Sequence, residues 1–108
     1  MNEDNMKSQM RKGILEYCIL LILNRRKAYA NDIIQLLQEA RLIVVEGTLY
    51  PLLTRLKNMG LLNYQWIESN QGPPRKYYEL TATGKKSLEG LEQAWNEVAE
   101  TVNHLKEL

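Results

Sequence analysis

Between Glu46 and Gly60 the chain reads EGTLYPLLTRLKNMG, and on a helix Thr48, Tyr50, Pro51, Thr54, Arg55 and Asn58 share the face opposite Leu49, Leu52, Leu53 and Leu56. Hydroxyls, an aromatic ring and a guanidinium are groups that contact base edges and phosphates. The leucines recur at i, i+3, i+4 and i+7, one apolar stripe that must be buried. Gly60 is placed to end this helix as its C′ residue. Directly after it, LLNYQWIESNQGPPRKYYEL alternates in polarity on both sides of a Gly-Pro-Pro tip, with Arg75 and Lys76 just beyond. These two cations can reach a phosphate backbone or a minor groove, or sit solvated. A helix with a polar outer face followed by a hairpin with a basic arm is the pattern of a winged helix-turn-helix. The tip, Ser69 to Pro74, is expected to be longer than a two-residue turn and mobile.

A second basic group, Lys7, Arg11 and Lys12, opens a helix expected from Ser8 to about Arg25. Cations there oppose the positive end of the helix dipole, so they read either as a solvated basic end or as a clamp on phosphates. Ile14, Leu15, Cys18, Ile19 and Ile22, joined by Leu20, Leu21 and Leu23, make the second half of this helix apolar almost all round. Such a helix needs cover on more than one face. A short second helix is expected over Asn31 to Glu39, and LIVV after Arg41 reads as a brief extended lead into the third. Val45 occupies the N-cap position without a capping side chain. A first turn of 3₁₀ character through Gly47 and Thr48 would set Pro51 near the start of the regular helix and relieve its missing N–H.

Thr81 is a good N-cap for a last helix in which Leu88, Leu91, Trp95, Val98, Val102 and Leu105 are spaced 3, 4, 3, 4, 3. A rod of roughly 39 Å is too long for so small a body to cover. The stripe therefore predicts a homodimer, most simply two-fold symmetric. The division expected is a winged helix-turn-helix over 1–80 and a dimerisation helix over 81–108, in a mainly α fold with a small β-hairpin (α+β).

The chain has 108 residues, 44% hydrophobic and 25% charged, the composition of one ordinary globular domain. Its net charge of +1 is unevenly spread: residues 1–80 carry 11 basic against 8 acidic groups, net +3, and residues 81–108 carry 3 against 5, net −2. That distribution suits a DNA-facing body and a partner-facing tail. The lone Cys18, inside YCILLIL, reads as a buried thiol in a reducing compartment. The polar start MNEDNMKSQMRKG lacks a signal-peptide apolar core, and Tyr17 to Leu23 falls far short of the ~20 residues that span a bilayer. A cytoplasmic protein without a membrane role is expected. One His, His104, one Cys and no metal-ligand spacing exclude ordinary enzyme constellations, and no cofactor or metal is expected. The rival reading is a winged-helix protein-interaction module without operator affinity.

GTLYPLLTRLKNMGLL, a Trp-bearing strand, GPPRKYYELTATGKK and a single C-terminal helix together resemble the PadR family of bacterial transcriptional regulators. The resemblance runs from about Gly13 to the C-terminus and is nearest the short members with one helix after the wing, similar to multidrug-efflux regulators. Its specific parts are Thr48-Leu49-Tyr50-Pro51, Arg55-Leu56, Gly60-Leu61 and Lys76-Tyr77-Tyr78 through Leu80-Thr81 to Gly84. It implies a winged-helix dimer on a pseudo-palindromic operator of double-stranded DNA, usually a repressor released by a small molecule or cellular signal. Thr48, Tyr50, Pro51, Thr54 and Arg55 match the recognition-helix positions, and Arg75 and Lys76 match the wing. Two departures stand out: Val45 replaces a capping polar residue, and Ala30-Asn31 replace the Gly-Tyr that opens the second helix. Trp95 reads either as seam packing or, mirrored by its two-fold mate, as a flat face for a planar aromatic effector in a cavity between the two wing-bearing bodies, completed by Met10, Asn96 and Ala99 with Ser8, Gln9, Leu15 and Glu100.

Overall fold

The computed structural model describes residues 3–108, so the first two residues of the polar N-terminus lie outside it. Four helices and three strands follow in the order α1 (Glu3–Arg25), β1 (Ala28–Tyr29), α2 (Ala30–Glu39), α3 (Glu46–Asn58), β2 (Leu62–Ser69), β3 (Gly72–Leu80) and α4 (Ala82–Lys106). The α+β expectation is met: α1, α2 and α3 form the helical body, and the hairpin β2–β3 is the wing. β1 adds to the other edge of β3, giving an antiparallel sheet in the order β1-β3-β2.

The core is the meeting of the apolar faces that the periodicity marks. Leu15, Ile19, Leu20 and Leu23 of α1 pack with Ile33 and Leu37 of α2 and with Leu49, Leu53 and Leu56 of α3, and Leu61, Leu62 and Tyr78 close it from the sheet side. α1 begins at Glu3, ahead of the expected Ser8. Met6, Lys7, Gln9 and Met10 are good helix formers, and nothing in that stretch stops a helix. β1, only two residues long, leaves no periodic signal and is legible only through its partners, Tyr78 and Tyr77.

α3 starts at Glu46 without a side-chain cap on Val45. The Val45 carbonyl instead accepts from both Thr48 N–H and Leu49 N–H at 3.0 Å, so the first turn mixes 3₁₀ and α bonds. Pro51 lies inside the regular helix rather than near its start. The carbonyl it leaves without an N–H belongs to exposed Gly47, where water can reach it. At the far end Gly60, at φ 78°, donates to Lys57 O, and Leu61 N–H donates to Leu56 O at 3.0 Å. This is a complete Schellman motif. α2 ends in the same motif, with Leu42 N–H donating to Leu37 O, but Arg41 holds the left-handed position at φ 66°.

The wing tip is tighter than expected. Asn70 and Gln71 alone join the strands, and Gly72 takes the unusual dihedral at φ 154°. Pairing runs Ile67↔Arg75 and then Ser69↔Gly72, so β3 holds one extra residue over Pro73-Pro74. That is a β-bulge. Prolines are tolerated there because β1 reaches only Tyr77 and Tyr78, leaving this stretch of β3 with one open edge.

Thr81 ties three elements together. Its Oγ1 accepts from Gly84 N–H at 2.9 Å as the α4 cap, and it lies 2.7 Å from Gly60 O and 3.0 Å from Leu61 O, to which the hydroxyl can donate. Gly84 fits under this junction because it lacks a side chain: a Cβ there would fall 2.2 Å from Leu61 O. The first turns of α4 thus belong to the body, and Leu88, expected on a dimer seam, is 6% exposed in its own chain's core. α1 runs beside it and covers that face. Beyond Leu88 the rod projects outward, and Leu91, Trp95, Val98, Val102 and Leu105 are 38–57% exposed.

Candidate nucleic-acid interface

The buried stripe Leu49, Leu53 and Leu56 fixes the rotation of α3, so its opposite face is solvent-facing by geometry. Thr48, Tyr50, Pro51, Thr54, Arg55 and Asn58 are all exposed there. Tyr50, Pro51, Thr54, Arg55, Asn58 and Met59 form one open groove along the helix. Arg11 and Lys12 of α1 lie beside its beginning, sharing with Thr48 a hollow of about 230 Å³. Lys7 is exposed one turn earlier. Two of the sequence-derived groups, the polar face of α3 and the Arg11–Lys12 pair, are thus brought to one side of the molecule.

The wing supplies the other flank. The Arg75 guanidinium lies 4.6 Å from the ring centre of Tyr29, the residue that opens α2. The Lys76 ammonium sits 4.1 Å over Tyr64, with Trp66 at 5.5 Å and Tyr78 at 5.9 Å. Ring faces attract these cations by about 0.5–1 kcal/mol at exposed sites while adding no opposite charge. A hollow of about 400 Å³ separates wing from α3, lined by Tyr29, Asn31, Tyr50, Trp66, Arg75 and Lys76 among others. At its base burial raises the Tyr78 phenol above its ordinary value, with the neighbouring Tyr50 and Tyr64 phenols adding to the shift. Tyr78 therefore stays a neutral donor and acceptor at physiological pH.

Arg55, expected to read bases, has an intramolecular partner: its Nη1 lies 2.6 Å from Glu16 Oε1 on α1. Sequence reasoning passed over Glu16, although a lone acid within GILEYCILLIL is a visible anomaly. It also passed over Tyr29, Tyr64 and Trp66 as seats for the wing cations.

On the other flank of α1, Gly13, Ile14 and Tyr17 face Leu91, Ala94, Trp95 and Val98 of α4 across a groove of about 300 Å³. Of the residues expected to join Trp95 in a cavity between two copies, several do not line this groove of the single chain. Ser8 and Leu15 turn toward α3, Met10 is 73% exposed, and neither Asn96 nor Ala99 lines the groove. The helical repeat explains this, because residues that share a stretch of sequence still point a third of a turn apart. Burial raises the Cys18 thiol, and Tyr17 is raised by burial first and then by the Glu92 carboxylate.

No three His, Cys, Asp or Glu side chains cluster to hold a metal among the described residues. No helix among them is long and apolar enough to cross a membrane.

Residues 19–90 match the model of the transcriptional regulator PadR-like family. The chain belongs to this PadR-like family. A PadR-like transcription factor from Bacteroides fragilis is 69% identical, with 94% of this chain and 98% of that one covered at a TM-score of 0.79. A PadR-like transcriptional regulator from Bacillus cereus is 40% identical over 90% and 95% of the two chains, at a TM-score of 0.79. A PadR family regulator from Eggerthella lenta is 31% identical over 94% and 89%, at a TM-score of 0.83. PadR-like proteins are transcription factors rather than enzymes, and the chain is accordingly a DNA-binding transcriptional regulator. In this PadR-like fold the matched segment takes in the C-terminal end of α1, all of α2 and α3, the wing and the first turns of α4, the elements that carry the polar face of α3 and the seated wing cations.

Proposed function

We propose that this PadR-like regulator acts in the cytoplasm as a homodimeric repressor on a pseudo-palindromic operator and leaves it on a small-molecule or stress signal. The observation that carries the reading is the pairing of two unlike surfaces on one chain: the polar, cation-flanked side of α3 and the wing, and the apolar stripe of α4. Lys7, Arg11, Lys12, Arg75 and Lys76 neutralise phosphates, while Thr48, Tyr50, Pro51, Thr54 and Arg55 meet base edges in the major groove. Residues up to 80 do the reading, and α4 joins two copies through Leu91, Trp95, Val98, Val102 and Leu105, with Leu88 serving the body's own core. Trp95, beside Gly13, Ile14 and Tyr17, offers a planar aromatic effector a flat face in the groove where α1 meets α4.

Three measurements test this. Anisotropy titration on the duplex upstream of the chain's own gene should give an affinity that falls steeply between two salt concentrations. A salt-independent affinity, or none, removes the phosphate contacts. Light scattering after size exclusion should give twice the monomer mass, and a lone subunit at working concentration removes the two-fold operator reading. Planar aromatic cations should quench Trp95 fluorescence, and no quenching leaves Trp95 as packing.

A further inference from the structure

We propose that Glu16 is a specificity-determining residue, which commits Arg55 to reading bases instead of gripping phosphates. The inference rests on the reading of α3 as the helix that enters the major groove.

Glu16 is the one acid in the otherwise apolar stretch Gly13–Leu23 of α1. Its neighbours Leu15 and Ile19 are core residues, which fixes the direction of its side chain toward α3. The carboxylate meets Arg55 Nη1 at 2.6 Å, with the two side chains 31% and 63% exposed. A guanidinium has five N–H donors, so this single bond leaves most of them for a further partner. Holding one rotamer also reduces the entropy that an arginine loses on binding.

The charge matters as much as the geometry. An uncompensated arginine on this face would grip the phosphates of any sequence and release counterions as it did so. With Glu16 beside it the pair is neutral, so its pull on a phosphate is weak. The remaining N–H groups still match guanine O6 and N7, which are uncharged acceptors. The wing cations are held in the opposite manner: Arg75 and Lys76 rest on ring faces that leave their charge in place. The molecule therefore positions its cations in two ways, on aromatic rings where charge is wanted and on a carboxylate where selectivity is wanted.

The test begins with a duplex selected by the wild-type protein from a random-sequence library, compared with a shuffled duplex of the same composition across a salt series. Glu16→Gln should bind the shuffled duplex several-fold more tightly, with a log–log salt slope steeper by about 0.9. Its selected-to-shuffled affinity ratio should fall on the order of tenfold. In an Arg55→Ala background the same Glu16→Gln change should leave the ratio where Arg55→Ala put it. Glu16→Asp keeps the charge but shortens the reach, so the ratio should fall while shuffled binding stays near wild type, which separates orientation from charge. An unchanged ratio in Glu16→Gln, or an equal loss with Arg55 absent, overturns the proposal. If the wild type enriches no sequence at all, the DNA-reading role of α3 fails first and this inference with it.

Discussion

Helices α3 and α4 carry apolar stripes of the same helical period and meet opposite fates. In α3, Leu49, Leu53 and Leu56 are covered by α1, α2 and the sheet of their own chain. In α4 only Gly84 and Leu88 are buried, and the stripe from Leu91 to Leu105 stays open. The α3 stripe sits within 13 residues inside the body, whereas α4 runs for 25, about 38 Å of rod. The comparison teaches that a periodic apolar face states the need for cover and says nothing about who supplies it.

The largest expected effect lies at the covered end. Gly84→Ala places a methyl against the Leu61 carbonyl, a backbone atom that cannot swing away. Destabilisation should reach the upper end of roughly 1–3 kcal/mol in urea unfolding, and a change under half a kcal/mol would mean that α4 is not docked as described.

On the open stretch, Val98→Lys with Val102→Lys should halve the mass seen by light scattering. The wild type's Tm should rise with protein concentration and the variant's should not. Both positions are exposed, so the variant subunit itself should change by no more than about half a kcal/mol.

Gly90→Ala sharpens the contrast with Gly84. No heavy atom stands within 4 Å of a Cβ there, so the helix should gain up to about 1 kcal/mol. A loss would report a partner helix crossing close to that position.

The smallest effect is in pH. Burial raises the Cys18 thiol above its ordinary 9.0 and the Tyr78 phenol above 10.0. A raised acid favours its neutral form in the fold, so this stability is intact below the unfolded values and is lost as pH climbs through the folded ones. Urea midpoints should be flat with respect to these groups through neutrality and decline above about pH 9. An earlier decline would place the loss in another group.

The wing shows where reading along the chain runs out. Its strands are legible from alternating Leu62, Tyr64 and Trp66, but the two-residue tip is not, because the Pro73-Pro74 bulge depends on which edge of β3 stays unpaired. Lys76 announces a basic arm, yet its seat on Tyr64 arises only once the strands register. Within one chain Trp95 shares its groove with Gly13, Ile14 and Tyr17, whereas Leu15, next to Ile14 in sequence, is turned by the helix toward α3.

By itself the sequence determined the helices, the wing, the Thr81 cap, the polar face of α3 and the family, because periodicity, capping and turn chemistry act over a few residues. Tertiary structure alone decided that Leu88 serves the body, that Gly84 passes beneath Leu61, and that Glu16 holds Arg55 from 39 residues away. Such contacts join surfaces brought together by burial of the whole core, and their partners are fixed only when every element has found its place.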